Sequence, residues 1–462
     1  MKLKKIYLRN FRCFDKCEID FEDDLTVLVA PNGLGKTAIL DAIAYGFGFF
    51  YRGFPGVKTN TMTDMDMRVH KGEVQAQASL ITFLAEHKGE TFIWGRQKRR
   101  NAAISNLLIQ NYQTDALKSF FGDNVPRGEQ AKKYRSVSQL NKEILENYNS
   151  DKEFDLPLIV YFGTDRTVRS EVRRRTGFKK AFTRFDALVE ALDATTNFKK
   201  ALEWFNAMEE LERREIIKKR NLDYKREDLE IVRRAICAIL PEGHSNLRTE
   251  MRPLRFVIDQ KIADGTSKTL RLMQLSDGYR IVLAMVMDLA RRMIEANPNL
   301  AAQDMLSTAS IILIDEIDLH LHPEWQQTII PELRKIFPKS QFIVTTHSPQ
   351  VLTTVPARSL RKIVFDKNKV RIDSNFQFLE GARADFVLQN VLDVNIRPEM
   401  VDEVRYLEEY KEYVERNDWD DQRAIELRSK LDRWGKGYEA ELEKIDIDIK
   451  VREFRRSRET KS

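Results

Sequence analysis

The run Ala30-Pro-Asn-Gly-Leu-Gly-Lys-Thr37 limits what this chain can fold into more than any other stretch. It follows the apolar Leu25-Thr-Val-Leu-Val29 and precedes Ile39, Leu40, Ala42, Ile43 and Ala44 at helical spacing, so it reads as strand, glycine turn and helix. In such a P-loop the backbone N–H groups around Asn32, Gly33 and Gly35 cradle the phosphates of a nucleoside triphosphate, and the helix N-terminus adds partial positive charge. Lys36 is then the cation that reaches the β- and γ-phosphates, and Thr37 the hydroxyl that ligates Mg²⁺, so ATP and Mg²⁺ are the expected cofactors. The first glycine of the usual pattern is replaced by Ala30, which fits if residue 30 does not need a positive φ.

At 462 residues the chain has room for several domains, and 42% hydrophobic with 32% charged content fits many charges on long exposed helices. Apolar runs such as Ile311-Ile-Leu-Ile314 are too short to cross a bilayer, and the lysine-rich start leads into a strand without a signal-peptide core. A cytoplasmic location without membrane contact is expected. Cys13, Cys17 and Cys237 have neither a disulfide framework nor metal-site spacing; Cys13 and Cys17 read as small buried residues. The net charge of +6 permits a nucleic-acid partner without requiring one.

Residues 3–8 and 17–21 read as strands joined by Arg9-Asn-Phe-Arg-Cys-Phe14, and residues 74–84 and 91–94 alternate in a way that extends the same sheet. After a polar helical stretch to residue 150, Leu156-Pro-Leu-Ile-Val-Tyr-Phe-Gly163 returns as a strand. From residue 164 to about 241 the pattern is helical and looks like an insertion. Residues 164–184 carry eight Lys or Arg against two acids, including Arg173, Arg174, Arg175, Lys179 and Lys180; this is either a solvated face or a contact for a phosphate backbone. Residues 254–262 alternate again. Leu275-Ser-Asp-Gly-Tyr279 then opens an apolar helix from Ile281 to Ile294, and a helix from Glu324 to Phe337 separates the strands Ile311–Asp315 and Gln341–Thr345, which implies parallel pairing. Beyond Pro398 the chain is charge-dense helix, with Leu427, Leu431, Trp434, Tyr438, Leu442, Ile445 and Ile449 forming a stripe expected to hold a partner or another copy.

A buried strand ending in Asp315-Glu316 behind a P-loop is a Walker B element. Asp315 is expected to hold Mg²⁺, directly or through water, opposite Thr37, and Glu316, one residue further, to polarise the attacking water. The next strand ends in Thr345-Thr-His-Ser348.

Together these segments resemble the ABC-type ATPase heads of the RecF, SMC-like and OLD-like branch across residues 1–365, with Leu275–Tyr279 similar to the signature motif and His347 to the switch histidine. The fold class this implies is α/β: an ABC-type P-loop NTPase head, with a mixed N-terminal sheet plus a parallel core sheet, a helical insertion and a helical tail. The boundaries expected are 1–163 and 246–372 for the two parts of the head, 164–245 for the insertion and 373–462 for an assembly region. Asn10-Phe-Arg12 and Asp315-Glu-Ile-Asp-Leu-His-Leu-His-Pro323 are especially similar to that branch, which assigns His320 and His322 to a D-loop rather than to a metal. By the same resemblance Ser276 and Gly278 contact the γ-phosphate bound by another protomer, and His347 contacts it from its own. Asp277 and Tyr279 depart from the usual Gly and Gln. Either Gln75 or Gln77 is the Q-loop residue.

The whole layout most resembles the PtuA family of Septu anti-phage defence, on Leu156–Arg166, on Leu321-His-Pro-Glu-Trp-Gln326 and on a short helical tail. That resemblance implies a homodimer or higher homo-oligomer, a separately encoded PtuB-like HNH nuclease and DNA contact. No HNH pattern occurs in this chain, and Asp446-Ile-Asp448 sits on the apolar-periodic helix as surface charge rather than as a TOPRIM pair. The alternative is a RecF-like repair ATPase that binds DNA without a nuclease. A transporter subunit is disfavoured by the basic insertion.

Overall fold

The structure, a computed structural model, describes residues 1–462 except 71–73, 167–182, 196–197, 242, 251–254, 263–264, 367–368 and 460–462. The basic run at 173–180 lies outside the described residues.

The chain opens with a tight hairpin, β1 (Lys2–Phe11) and β2 (Phe14–Asp20), in which Phe11 pairs with Phe14 around the Arg12-Cys13 turn. Next come β3 (Leu25–Val29) and helix α1 (Lys36–Tyr51), then the short pair β4 (Val69–His70) and β5 (Val74–Gln75), and the long hairpin β6 (Ala78–His87) and β7 (Glu90–Arg99). Helix α2 (Asn106–Phe121), β8 (Tyr134–Arg135), α3 (Val137–Asn149) and β9 (Leu158–Phe162) follow. The strands at residues 78–99 do extend the first sheet, whose order is β2-β1-β6-β7-β8.

After residue 182 the chain forms α4 (Lys199–Lys219) and α5 (Glu227–Ile239), a three-stranded sheet of β10 (His244–Glu250), β11 (Arg255–Lys261) and β12 (Ser267–Arg271), and the long helix α6 (Asp277–Ala296). Then come α7 (Ala302–Met305), β13 (Ser310–Ile314), α8 (Pro323–Gln326), α9 (Ile329–Ile336), β14 (Gln341–Thr345), α10 (Pro349–Leu352), β15 (Leu360–Asp366) and β16 (Lys369–Asp373). The helix expected over 324–337 is two helices. Pro331 has no N–H for the carbonyl four residues back and its ring would strike that carbonyl, so it sits in the first turn of α9 instead of inside one long helix.

The second sheet has the order β16-β15-β3-β14-β13-β9, with β15, β3, β14, β13 and β9 parallel and β16 antiparallel at the edge. All five residues of β3, of β9, of β13 and of β14 are buried, as a parallel strand covered on both faces requires. Helix α1 packs against both sheets. Its Tyr51 hydroxyl accepts from the Ile159 N–H at 2.6 Å, and Trp94 Nε1 donates to the Gly46 carbonyl at 3.1 Å, which ties the helix to β9 and β7.

Helix α6 is buried along almost its whole length although it carries charge. Arg291 and Arg292 share the Asp288 carboxylate, Arg291 also bonds Glu295 at 2.6 Å, and Arg292 Nη1 donates to the carbonyls of Ala187 and Val189. Breaking such a buried pair leaves an uncompensated charge and costs about 3–5 kcal/mol, so this network fixes the helix whose first turn carries the expected signature.

Contacts divide the chain once, into Met1–Val387 and Leu388–Ser462. The described part of the expected insertion belongs to the first unit, where α5 packs on α6. The second unit holds α12 (Asp402–Glu415), α13 (Gln422–Gly435) and α14 (Ala440–Glu459), preceded by α11 (Ala384–Asn390), which spans the division. Here the sequence expectation needs correction. Leu427, Leu431, Leu442 and Ile445 do not wait for a partner; with Leu407, Tyr410, Val414 and Ala424 they form the core of this unit itself, and Trp434 and Tyr438 lie outside it. Periodicity identifies a buried face but not what buries it. The chain turns between α13 and α14 at Gly437, φ +80°, which lets the stripe fold back on its neighbours. Asp446 is bound by Arg428 at 2.5 and 2.9 Å and Asp448 by Arg452 at 2.8 Å. No helix among the described residues is long and apolar enough to cross a membrane.

Candidate functional site

Strand β3 ends at Val29 and the chain turns through Pro31–Gly35 into α1, with exposed Asn32 and Gly33 at the crest and Gly33 at φ +80°. Ala30 is buried and absent from the positive-φ residues, which is why an alanine serves where the pattern has glycine. Gly35 is different. It stands at φ +95°, and a Cβ on it would lie 2.5 Å from Cys13 Sγ and 2.7 Å from the Phe14 ring, so the turn admits no side chain there. Residue 35 is also the N-cap of α1 and makes no side-chain cap, which leaves the first N–H groups of the helix for a ligand.

Lys36 is 7% exposed and its ammonium donates to the Ala30 carbonyl at 2.8 Å and the Pro31 carbonyl at 3.4 Å. Burial pulls its pKa down, against the raising effect of Asp315, Glu316 and Asp318. Thr37 Oγ1 donates to Asp315 Oδ2 at 2.7 Å, and Thr345 Oγ1 donates to Asp315 Oδ1 at 2.6 Å. Asp315 is 1% exposed and follows β13 directly, so the first turn of α1 and the ends of β13 and β14 converge on one carboxylate. A hydroxyl and a carboxylate 2.7 Å apart are hard oxygen ligands of the kind Mg²⁺ takes.

Glu316 has φ +46°, a left-handed conformation that costs a non-glycine residue about 1–2 kcal/mol. Its N–H is held by Thr345 Oγ1 at 2.7 Å, and among the described residues its carboxylate has no hydrogen-bond partner. Nearby, His347 Nε2 is buried and unpaired. Burial, and then the charge of Lys36, lower the pKa of His347, so the ring is neutral at pH 7 and can offer one N–H. An orphaned buried nitrogen beside an uncapped helix N-terminus fits a bound phosphate.

Ser276 is the exposed N-cap of α6 and makes no side-chain cap. Among the described residues its side chain makes no hydrogen bond to Lys36, Thr37, Asp315 or His347. Gly278 has a reason within its own chain: a Cβ there would lie 2.5 Å from the His320 carbonyl oxygen. Tyr279 stacks edge-on against Trp325 with centroids 4.2 Å apart, so the two residues that depart from or follow the expected motifs pack on each other. His320 is left-handed at φ +64°, and His322 Nδ1 caps α8 by accepting from the Glu324 N–H at 3.4 Å. No cluster of three or more metal-ligating side chains occurs among the described residues. Gln75 donates to the Asp64 carbonyl, the Gln77 carbonyl accepts from the Arg100 N–H at 3.0 Å, and neither is hydrogen-bonded to Lys36, Thr37 or Asp315 among the described residues.

Two site residues were not singled out from sequence. Thr345 had a signal, a hydroxyl where the last residue of a buried parallel strand is ordinarily aliphatic. Arg166 had only its place at the end of the Leu156–Arg166 stretch, and is 2% exposed against the carbonyls of Asp315 and Glu316.

Comparison with known proteins points to ATPases. The chain is 27% identical to "Retron Ec83 probable ATPase" of Escherichia coli, over 90% of this chain and 80% of that one. It is 26% identical to "Retron Vc95 probable ATPase" of Vibrio cholerae, over 79% and 73%. With "Septu protein PtuA" of Bacillus thuringiensis it shares 21% identity over 85% and 84%. Residues 1–352 match the family described as AAA ATPase domain, and the chain belongs to that family of ATPases.

Proposed function

We propose that this chain is the ATP-hydrolysing subunit of a cytoplasmic anti-phage defence complex, in which ATP-dependent closure of two heads regulates a separately encoded HNH nuclease acting on DNA. The observation that carries the enzymatic part is the convergence on Asp315 of Thr37 and Thr345, with Glu316 held left-handed beside it and its carboxylate without a hydrogen-bond partner among the described residues. Similarity over most of the chain to ATPases named for Septu and for retrons supports the setting in defence.

In this reading Asn32, Gly33, Gly35 and the first turn of α1 wrap the phosphates with backbone N–H groups, and Lys36 moves its charge from the loop carbonyls to the β- and γ-phosphates. Thr37 and Asp315 hold Mg²⁺, which when bound supplies positive charge to the phosphate oxygens. Glu316 accepts a proton from the attacking water, and neutral His347 donates its N–H to the γ-phosphate. Ser276 and Gly278 approach from the second protomer, for which the exposed, uncapped hydroxyl of Ser276 is suited.

Co-purification from the native operon tests the assignment. With tagged chain expressed beside its neighbouring genes, a small HNH protein should be retained in stoichiometric amount, and the purified chain alone should hydrolyse ATP without cutting DNA. Retention of repair or replication proteins with no nuclease would instead favour the RecF-like reading. DNA cleavage by the rigorously pure chain would overturn the division of labour.

A further inference from the structure

The buried guanidinium of Arg166 has no part in the reading above. It bridges the ends of two strands: Nη1 donates to the Gly163 carbonyl at 2.9 Å and to the Asp315 carbonyl, and Nη2 donates to the Glu316 carbonyl at 2.6 Å. The β9–β13 pairing ends at Phe162 and Ile314, with one more bond from the Asp315 N–H to the Phe162 carbonyl at 2.8 Å. Beyond that point the strands diverge, and Arg166 supplies the donors that the ladder no longer does. Buried carbonyls without partners are costly, and a planar fork is the side chain able to meet several at fixed angles.

Placed there, the guanidinium grips the peptide segment on which the chemistry depends. Glu316 is left-handed, and a strained residue persists only where its surroundings over-determine it. Thr345 Oγ1 fixes the Glu316 N–H and Arg166 fixes the Glu316 carbonyl, so the residue is clamped on both sides of its Cα. We propose that Arg166 is a positioning residue for hydrolysis: by holding the Glu316 backbone at its carbonyl, opposite the hold of Thr345 on its N–H, it keeps the Glu316 carboxylate directed at the attacking water. This rests on the reading of Glu316 as the base.

Arg166→Lys keeps the charge but replaces the fork with a single ammonium, and Arg166→Gln removes the charge and keeps one amide donor. In the full-length protein each variant should still unfold in one cooperative transition, at a lower temperature because buried carbonyls lose their donors, and should leave the Kd for a fluorescent ATP analogue near wild type while kcat falls about tenfold or more. In the Glu316→Gln background, adding Arg166→Lys should lower the residual single-turnover rate no further, because the two lesions act through one carboxylate. The assignment would be overturned by a folded Arg166→Lys enzyme with wild-type kcat, by loss of ATP affinity in proportion to kcat, by a multiplicative loss in the double variant, or by failure of both single variants to fold. The two failures are separable. A fully active Glu316→Gln enzyme removes the base and this proposal with it, whereas wild-type kcat in Arg166→Lys beside an inactive Glu316→Gln enzyme removes the proposal alone.

Discussion

Lys36→Ala should bring ATP hydrolysis below detection and weaken ATP binding by roughly 10- to 100-fold, the loss expected when a charged group's hydrogen bonds worth about 1.5–3 kcal/mol are removed. Everything else that faces the phosphates from the P-loop is a partial charge, from backbone N–H groups and the end of α1. Lys36 brings the full positive charge from within the turn, and its ammonium is pre-placed on the Ala30 and Pro31 carbonyls. Burial already lowers its pKa, so the site holds this ammonium at a desolvation cost that a triphosphate would offset. The variant should still fold, because the side chain anchors only the carbonyls of Ala30 and Pro31. Isothermal titration with ATP, beside an unfolding curve, separates the outcomes. A folded Lys36→Ala protein that binds and turns over ATP normally would remove the P-loop from the account.

Glu316→Gln should show the opposite split. Glutamine keeps the shape and the hydrogen-bonding capacity of the side chain but cannot take a proton, so ATP binding should persist while kcat drops roughly 10²-fold or more. The backbone that presents residue 316 is held by Thr345 and Arg166 through its N–H and carbonyl, neither of which the substitution touches. ATP should then trap the closed dimer, visible as a doubled mass by light scattering after size exclusion. A variant that binds ATP, fails to hydrolyse it and stays monomeric would contradict closure of two heads on nucleotide.

How much of this was legible beforehand follows the range of the interactions. The P-loop, the β13 carboxylates and the opening of α6 are contiguous motifs whose chemistry is written in adjacent residues, and the parallel pairing of β13 with β14 follows from strand, helix, strand order. Arg166 meets Asp315 across 149 positions of sequence and Thr345 meets it across 30, distances over which no local pattern carries information. The Asp288, Arg291, Arg292 and Glu295 network did leave a trace, since charges at spacings of three, four and seven along an otherwise apolar helix share one face. The tail misled for a different reason. A stripe at helical period is the same whether it meets another chain or its own neighbours, and only the turn at Gly437 hinted at the second outcome.

The shared site is the central claim, and subunit mixing tests it most directly. Lys36→Ala removes the phosphate charge in one protomer; Ser276→Arg sets a bulky side chain at the exposed N-cap of α6, where the other protomer's nucleotide is expected. Each homodimer carries a lesion in both of its sites and should be nearly inactive. In a mixed dimer both lesions fall in one site and the other is intact, so equal mixing with random exchange should restore about a quarter of wild-type activity. Exchange is verified by pulling down one tag and blotting for the other. Recovery near that level is the predicted result; fully exchanged mixtures that stay as inactive as their parents at every ratio would contradict a site built by two chains.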